Sequence, residues 1–432
     1  MIISVKKISL LIKIVIYFFI FIFLIIGIYK LTSYKTQRNI IKLFPQKFEF
    51  AARILFQDRL DIRTIQNDYN VRFLPYTQFL KLELQEKFFD FDIEKSKNLG
   101  RRKHFFLEII DNDIWLIKSS GSVKKINYND IANNITEKIK TSNIQSNLKE
   151  KILVVDSYVH DKKIYLSFVK HKDACETLNI IFAEINNESL NFQNYYNSKE
   201  CTKGLSSGKM QFFEHNNMGG LLVSTATGVA DKPTKQPQDD DSIYGKLLFI
   251  DFKTKKVINF SKGHRTTQGL YAEKNLILST EHGPSGGDEI NKIIFNKNYG
   301  WPLSSYGEPY SYAGYFSLDS IDKKNKKLGF YKSHSDFGFE EPVFSFVPSI
   351  GISELIKLSN DFSNLWVDNF IVTSLNARSI FRIKFDNNYK KISFYEKIYI
   401  GQRIRDIKYH HELGAILLVL EEKGQLGILK KK

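Results

Sequence analysis

Residues 275–302 read Asn-Leu-Ile-Leu-Ser-Thr-Glu-His-Gly-Pro-Ser-Gly-Gly-Asp-Glu-Ile-Asn-Lys-Ile-Ile-Phe-Asn-Lys-Asn-Tyr-Gly-Trp-Pro. A short apolar strand pattern is followed, over 281–302, by four glycines, two prolines and three carboxylates. This segment has too few apolar side chains and too many turn residues to be core. Its Gly-Pro and Gly-Gly-Asp-Glu steps suit a loop whose oxygens face a bound cation, for which Ca²⁺ is the natural candidate. An ordinary long loop is the alternative.

Similar short strand patterns dominate the chain beyond residue 70. Runs rich in β-branched and aromatic residues are separated by turn residues, and the runs form clusters that begin near residues 105, 152, 209, 268, 352 and 404. Several clusters repeat a strand, a polar hairpin, an apolar strand ending in a loop, and a charged edge strand, as the blades of a propeller do. We therefore predict an all-β fold, a six-bladed β-propeller over residues 101–432. Helical periodicity is expected near 40–60 and around 130–150.

The N-terminus predicts a membrane anchor. Residues 8–29 are apolar except for Ser9 and Lys13, and as a helix they would span about 33 Å, enough for a hydrocarbon core of about 30 Å. No small-x-small cleavage pattern follows, so we expect an uncleaved transmembrane signal anchor. Residues 1–7 would be a cytoplasmic tail, and residues 30–100 a linker and N-terminal segment, partly helical and a candidate source of a closing strand. A large body after a lone anchor is translocated largely regardless of charge, which predicts a periplasmic or extracellular propeller.

The net charge and the two cysteines limit which partners and which covalent links the chain is expected to have. The net charge is +16, but six basic and no acidic residues precede residue 40, which leaves the body at +10. No run resembles a DNA-binding module, so nucleic acid is not an expected partner. Cys175 and Cys201 lie in neighbouring strand patterns. They form either a disulfide, worth roughly 3 kcal/mol, or two free thiols.

A pair of arginines marks a second candidate site. In Arg403-Ile-Arg405, strand alternation places both guanidiniums on one face, where they repel each other unless an anion lies between them. Asp406 or a ligand with several carboxylates would serve, and solvated rim arginines are the alternative. Four segments are expected to meet at one end of the propeller axis: 265–269, 281–302, 403–406 and 239–246.

The motifs of these segments, taken together, resemble a known family. They are Arg265-x-x-Gln268-Gly-Leu, Glu281-His-Gly-Pro-x-Gly-Gly-Asp-Glu-Ile-Asn-x-Ile, Asn298-Tyr-Gly-Trp-Pro and Arg403-Ile-Arg405-Asp406. In this order they are similar to the soluble quinoprotein glucose, aldose-sugar and sorbosone dehydrogenases, six-bladed propellers that bind pyrroloquinoline quinone (PQQ) and calcium. The resemblance covers roughly residues 205–425. It implies a dehydrogenase that oxidises an aldose or related alcohol by hydride transfer to the quinone, and with the anchor expected at 8–29 this enzyme would be membrane-anchored. A homodimer is a further expectation.

The resemblance also implies roles for single residues. The cofactor would be bound by Arg265, Gln268, His282, Arg403 and Arg405. The carbonyls of Gly283 and Pro284 would ligate the calcium that polarises the quinone, and Asp288 and Glu289 match positions associated with a second, structural calcium.

The chain departs from the family at the proton-handling position. Leu205 stands where the family has its catalytic His, and leucine cannot accept a proton. A missing general base commonly costs about 10²–10⁴-fold in rate. Thr266 and Asn376 replace a usual Asn and a frequent cofactor-contacting Lys, while His282 and His215 are the candidate substitutes for the base. The alternative function is therefore a catalytically impaired propeller that binds a ligand or a protein.

Overall fold

Runs of β-branched and aromatic residues form strands throughout the part of the chain that the computed structural model describes. That part comprises residues 71–73, 80–96, 102–133, 138–148, 152–172, 175–205, 207–226, 235–308, 330 and 332–432. All of it belongs to one unit, Thr64–Lys432. Within it, no helix is long and apolar enough to cross a bilayer. The anchor predicted at 8–29 and the helical pattern near 40–60 lie outside the described residues.

Six antiparallel sheets follow one another along the chain and are numbered here as blades 1 to 6, each given from its innermost strand outward. Blade 1 contains Phe105–Ile110, Asp113–Lys118, Val123–Ile126 and Ser142–Ser146, with Ser189–Leu190 added at its edge; blade 2 contains Leu153–His160, Lys163–Lys172, Cys175–Glu184 and Gln193–Asn197; blade 3 contains Met210–His215, Met218–Ser224, Lys246–Asp251 and Val257–Lys262. Blade 4 contains Thr267–Glu273, Leu276–Glu281, Asp288–Lys292 and Phe344–Phe346; blade 5 contains Ile352–Lys357, Phe370–Ser374, Ser379–Phe385 and Ile392–Tyr399; blade 6 contains Ile404–His410, Ala415–Leu420, Gln425–Lys431, Leu82–Phe89 and Val71–Phe73.

The remaining elements are short. Lys138–Ile139 pairs in parallel with Leu82–Phe89, and Lys95–Ser96 pairs with Arg102–Lys103. The described helical elements are the α-helix Tyr128–Ala132 and the 3₁₀ turns Ser335–Phe337 and Asn364–Trp366.

The innermost strands of the six blades form a closed ring. Each contacts the innermost strand of the next blade, and that of blade 6 contacts that of blade 1. Among the described residues, each of six hydrophobic clusters draws its side chains from two neighbouring blades. The core therefore lies between blades, because each sheet must bury its two faces against its neighbours. The predicted six-bladed propeller is confirmed.

The ring is closed by hydrogen bonds between its two ends. Leu82–Phe89 pairs antiparallel with Gln425–Lys431, from Leu82 opposite Lys431 to Lys87 opposite Leu426. Blade 6 thus takes an outer strand from ahead of residue 101. Closure of this kind satisfies the edge of the C-terminal strand, which would otherwise present unpaired backbone groups.

Tight hairpins give the propeller two distinct faces. Three turns between first and second strands hold two consecutive residues with positive φ, as type I′ turns require: Asp111-Asn112, Asp161-Lys162 and Asn216-Asn217. The innermost strands all run in the same direction along the axis, since each is followed by the same outward order of strands. We call the face where they end the hairpin face, and the face where they begin the mouth face.

The prediction of a short helical piece around 130–150 is wrong for most of the described part of that range. Within 127–133 and 138–148 the one helical element is Tyr128–Ala132, and the Asn127 side chain caps it by accepting a hydrogen bond from the Asn129 N–H. Ser142–Ser146 instead forms the fourth strand of blade 1. An isolated helix of this length is unstable, so pairing with an existing sheet prevails over local propensity.

Cys175 and Cys201 form a disulfide, with Cα atoms 5.7 Å apart. Glu176 and Thr202, the residues that follow them, exchange backbone hydrogen bonds. The bridge therefore fixes the chain leading to Leu205 against the third strand of blade 2.

Candidate functional site

The arginines and the glycine-rich loop open on the mouth face. Arg265 and Gln268 lie at the start of the innermost strand of blade 4, and Arg403 and Arg405 at the start of that of blade 6. The loop 282–287 joins the second and third strands of blade 4, and it therefore lies on the same face. Segments more than 100 residues apart in the chain thus reach one end of the axis.

Direct contacts join these residues across the mouth. Arg405 Nη1 donates to Gln268 Oε1 at 2.9 Å, which links blade 6 to blade 4. Arg265 Nη1 donates to the His282 carbonyl at 2.9 Å, which fixes the start of the loop. Arg265 also lies over the Trp301 ring, 5.2 Å from its centroid. The structure therefore brings these predicted site residues together.

Glu421 is the anion that separates the two arginines. Its Oε1 accepts from Arg403 Nε at 2.6 Å and its Oε2 from Arg405 Nε at 3.0 Å. Burial alone would raise the pKa of Glu421, but Arg405, the His104 imidazole 3.7 Å away and Arg403 together hold that pKa well below its ordinary value. Both guanidiniums are mostly buried, which excludes the alternative of solvated rim arginines.

Asp406, expected in this role, lies elsewhere. Its carboxylate accepts the backbone N–H groups of Leu107 and Ile407 at 2.9 and 2.8 Å. Backbone donors therefore occupy the Asp406 carboxylate, which is not the counter-ion of Arg405. The hairpin register of blade 6 is the signal that could have identified Glu421. Ile404 lies opposite Leu420, so Glu421, which follows Leu420, lies next to Arg403.

His282 presents an unpaired nitrogen close to the arginines. Burial, aided by the charges of Arg265 and Arg405 and opposed by Asp288, lowers the pKa of His282 to about 4. The imidazole is therefore neutral at ordinary pH. Its Nε2 is buried and has no hydrogen-bond partner within the described ranges. An unsatisfied buried polar atom is costly, so this nitrogen is suited to pairing with a guest in the mouth.

Asp288 braces the glycine-rich loop. Its carboxylate accepts the Gly283 N–H at 3.1 Å, the Ser349 hydroxyl at 2.7 Å and the Ile352 N–H at 3.0 Å. Gly283 is required here, because a Cβ at this position would overlap the carbonyls of Gly286 and Gly287. The loop is thus closed tightly on itself and tied to blade 5.

Glu289 faces the other side of its strand. Its carboxyl group accepts from Asn291 Nδ2 at 3.2 Å and lies 3.6 Å from His334 Nε2. Burial, with the nearby Glu281, raises the pKa of Glu289 to about 8. Asp288 and Glu289 therefore do not share a side-chain site.

The candidate calcium position depends on backbone oxygens. The Gly283 and Pro284 carbonyls accept no hydrogen bond from any residue the structure describes, so both suit a hard cation. No group of three or more His, Cys, Asp and Glu side chains that could hold a metal occurs in the described segments. Calcium here would need ligands from a guest or from solvent.

The expected base position is part of the core. Leu205 is 6% exposed and packs in the hydrophobic cluster between blades 2 and 3. Its backbone N–H donates to the Glu176 carboxylate at 2.6 Å. Thr266 and Asn376, the other two residues that differ from the family pattern, lie near the glycine-rich loop. The Thr266 carbonyl accepts the His282 N–H, and Asn376 Nδ2 donates to the Ser349 carbonyl at 3.3 Å.

His215 cannot replace the missing base. It ends the innermost strand of blade 3, on the hairpin face, where its ring contacts Phe249, Phe260 and Phe295. At about 3.3 Å per residue, the six residues of this strand separate it from the mouth by more than ~15 Å. The suggestion that His215 could substitute for the catalytic base is therefore wrong.

Segment 239–246 lies beside the candidate site. The preceding Gln238 donates to the Trp301 carbonyl at 2.6 Å and exchanges hydrogen bonds with Asn298. Buried Lys246 donates to the Gln236 and Pro237 carbonyls at 2.6 and 3.2 Å. Gln238 therefore contacts Asn298 and Trp301, the segment itself accepts the His264 N–H through the Gly245 carbonyl, and none of these contacts reaches the arginines of blade 6.

Comparisons with known proteins agree with this geometry. The family model described as Glucose / Sorbosone dehydrogenase matches residues 104–429. Aldose sugar dehydrogenase YliI of Escherichia coli (strain K12) is 29% identical over 236 residues, 49% of this chain and 59% of that protein. Quinoprotein glucose dehydrogenase B of Acinetobacter calcoaceticus is 25% identical over 213 residues, 40% of this chain and 41% of that protein. The matches thus span less than two thirds of these relatives.

Solved structures show the same fold. The soluble aldose sugar dehydrogenase from Escherichia coli in the apo-form has a TM-score of 0.61 at 18% identity, covering 81% of this chain and 99% of that one. The PQQ-bound aldose sugar dehydrogenase from Streptomyces coelicolor has a TM-score of 0.51 at 14% identity, covering 83% and 100%.

Proposed function

Because the chain belongs to the glucose/sorbosone dehydrogenase family, we propose that it is a PQQ- and calcium-dependent dehydrogenase that oxidises an aldose or a related alcohol. The observation that carries the proposal is the meeting of Arg265, Arg403 and Arg405 with the glycine-rich loop at one mouth. These residues come from two blades: Arg403 and Arg405 share Glu421, Arg405 reaches Gln268 of blade 4, and Arg265 and Arg405 both lower the pKa of His282.

The charge at the mouth suits the cofactor. Arg403 and Arg405 share one carboxylate, Glu421, so this group keeps one net positive charge, and Arg265 adds another beside the neutral imidazole of His282. Guanidiniums pair strongly with carboxylates, and PQQ carries three. Arg265, Arg403 and Arg405 would hold those groups, Gln268 and His282 would contribute hydrogen bonds, and the Gly283 and Pro284 carbonyls would hold calcium.

When bound, the quinone supplies the hydride acceptor and calcium supplies a Lewis acid. The chain's own residues prepare the site. Glu421 fixes the orientation of two guanidiniums before any ligand arrives, and Asp288 holds the loop closed. Prealigned charges of this kind stabilise developing charge without reorganisation.

Leu205 favours a second candidate function. An aliphatic core side chain occupies the position expected to take the substrate proton. The alternative is a propeller that binds the cofactor or another anionic guest without efficient oxidation, since a fold does not fix a function.

One titration separates the two functions. The full chain, purified with calcium, is titrated with PQQ while bound-quinone absorbance and aldose-dependent dye reduction are both recorded. Saturable binding with dye reduction supports the dehydrogenase, and saturable binding without reduction supports the binding propeller. No binding at any PQQ concentration would refute the dehydrogenase and would also refute PQQ as the ligand of the binding propeller.

A pair of variants ties the result to the mouth. Arg403→Met removes one charge-assisted pair and should weaken PQQ binding about 10- to 100-fold. Lys274→Met, in a hairpin on the opposite face, should leave the affinity unchanged. Equal affinity for both variants would place the quinone outside the mouth.

The membrane placement is a further part of the proposal. The apolar run 8–29 supports an N-terminal anchor with the propeller on the periplasmic or extracellular side. The full chain should remain in the membrane fraction after alkaline extraction, and a variant lacking 8–29 should be released. A homodimer is proposed with it, to be measured by light scattering of the released form.

A further inference from the structure

A second cavity lies on the hairpin face, between blades 2 and 3. Its volume is about 240 Å³. It is lined by the first hairpin of blade 2, by strands of that blade, and by the turn of blade 3 that carries Phe252 and Lys255. The residues that bind the candidate cofactor begin their strands at the other end of the axis, so this cavity is separate from the mouth.

Aromatic rings form the walls of the cavity. The His160 ring stacks on Phe212 with centroids 4.1 Å apart and planes 12° from parallel. Phe252 continues the stack, 5.7 Å from His160. Tyr165 and Tyr195 meet edge to face at 5.5 Å. His160, Phe212 and Phe252 are only half-buried, so ring surface remains available inside the cavity.

Two ammonium groups and one carboxylate stand among these rings. Lys255 Nζ lies 3.8 Å from the centroid of Tyr195, and positive φ at Lys255 fixes the turn that carries it. Lys163 lies 3.4 Å from Glu184, whose side chain is 71% exposed and contributes little. Asp161 is the remaining charge of the lining. The side chains that line the cavity therefore carry one net positive charge.

The volume of the cavity limits the size of the ligand that it can hold. Pockets for drug-sized ligands measure about 300–1,000 Å³, so a cavity of this volume accommodates one ring and not a tricyclic quinone. Aromatic walls favour a planar aromatic ring over an aliphatic one. The two lysines favour a negative group at the edge of that ring and disfavour a cation.

We propose that this cavity is a binding site for single-ring aromatic carboxylates. The ring packs against Phe212, Phe252 and Tyr195, and the carboxylate pairs with the ammonium groups of Lys255 and Lys163. On binding, the Lys255 ammonium exchanges its contact with the Tyr195 ring for a charge-assisted hydrogen bond, which is the stronger interaction.

The test is a titration of the full chain with benzoate, followed by ligand-observed NMR. A ligand of this size should bind with a Kd of about 1 mM or tighter. Benzamide, which keeps the ring and loses the charge, should bind about 3- to 10-fold more weakly, because one exposed charge-assisted pair is lost.

Variants locate the site. Lys255→Met keeps the aliphatic stem on an exposed turn and should weaken benzoate binding about 3- to 10-fold while leaving benzamide unchanged. Phe212→Leu should weaken both ligands. Lys274→Met, which removes a hairpin lysine from blade 4, serves as the matched control and should change neither.

Three results would overturn the proposal. The first is no benzoate binding up to about ten times the expected Kd. The second is benzoate binding that neither Lys255→Met nor Phe212→Leu alters, because the ligand would then lie elsewhere. The third is a Phe212-dependent preference for tetramethylammonium or glucose over benzoate, which would show a cation site or a sugar site.

Discussion

At the scale of single residues, the mouth depends on Glu421. Two guanidiniums two residues apart on one strand repel each other, and the fully buried Glu421 carboxylate contacts the Nε atoms of both. A buried ion pair stabilises little by itself, yet removing one partner leaves an uncompensated buried charge. The site can therefore bind anions only because this one anion already sets the positions of the arginines.

We expect Glu421→Gln to destabilise the protein by about 3–5 kcal/mol, because Arg403 and Arg405 lose their shared counter-ion. Glu184→Gln is the control, since the Glu184 side chain is 71% exposed where it pairs with Lys163, and it should cost less than about 1 kcal/mol. Urea unfolding of both variants measures the difference. Similar costs for the two variants would contradict the role of Glu421.

The lowered pKa of Glu421 predicts how the free energy of unfolding depends on pH. The pKa of Glu421 is lower in the folded protein than in the unfolded chain, so its contribution is present above the unfolded value of about 4.3. It is lost as the pH falls through the folded value. The stability difference between the parent and Glu421→Gln should be constant near pH 7 and shrink below about pH 4.5. A difference that grows on acidification would contradict this assignment.

Leu205 is predicted to act through packing. Leu205→Ala should cost about 2–4 kcal/mol by leaving a cavity between blades 2 and 3. Leu365→Ala, at a position 52% exposed, should cost less than about 1 kcal/mol. Thermal and urea unfolding measure both. A small cost at Leu205 would mean that this side chain lies in the mouth and not in the core.

At the scale of elements, strand direction assigns each residue to a face. Residues that begin an innermost strand reach the mouth, as Arg265 does, and residues that end one reach the hairpin face, as His215 does. The same rule separates the candidate cofactor site from the aromatic cavity. The disulfide acts at this scale too, because it joins a strand of blade 2 to the segment that leads into blade 3.

The disulfide should stabilise the fold by closing a loop of 26 residues, a contribution of about 3 kcal/mol. Replacing Cys175 and Cys201 by Ser should lower the free energy of unfolding by that amount. Reducing agent should have the same effect on the parent and none on the double variant. An unchanged parent under reduction would show that the bridge is absent from the protein in solution.

At the scale of the whole molecule, charges from three blades meet on the axis. Lys209 Nζ lies 2.7 Å from Asp156 Oδ1 and 2.5 Å from Glu354 Oε2, all of them buried. Burial raises the pKa of Asp156 to about 6 in spite of the lysine. Asp156 and Glu354 lie in the innermost strands of blades 2 and 5, and Lys209 immediately precedes that of blade 3. The cluster therefore holds together distant parts of the ring.

Lys209→Met should therefore destabilise the propeller by about 3–5 kcal/mol, since two buried carboxylates lose their cation. Lys262→Met breaks a pair with the exposed Asp240 and should cost less than about 1 kcal/mol. The two free energies of unfolding are compared at pH 7. If the loss at Lys209 matched that at Lys262, the axial cluster would not be a structural centre.

The number of blades and the motifs of the mouth were predictable from local sequence patterns. Alternating strand patterns with recurrent turn residues specify each sheet locally, and so the six cluster positions agreed with the innermost strands. Arg265, Gln268, His282 and the glycine-rich loop were identifiable because each lies in a short contiguous motif.

Which charged side chains meet was not predictable from local patterns, because it depends on how the blades pack. Glu421 replaced Asp406 as the partner of the arginines, His215 was placed on the opposite face, and Leu205 was buried between blades. The axial cluster around Lys209 and the aromatic cavity likewise join residues from separate blades. Such contacts depend on strand register and on the packing of one sheet against the next, and neither is encoded in the spacing of a local motif.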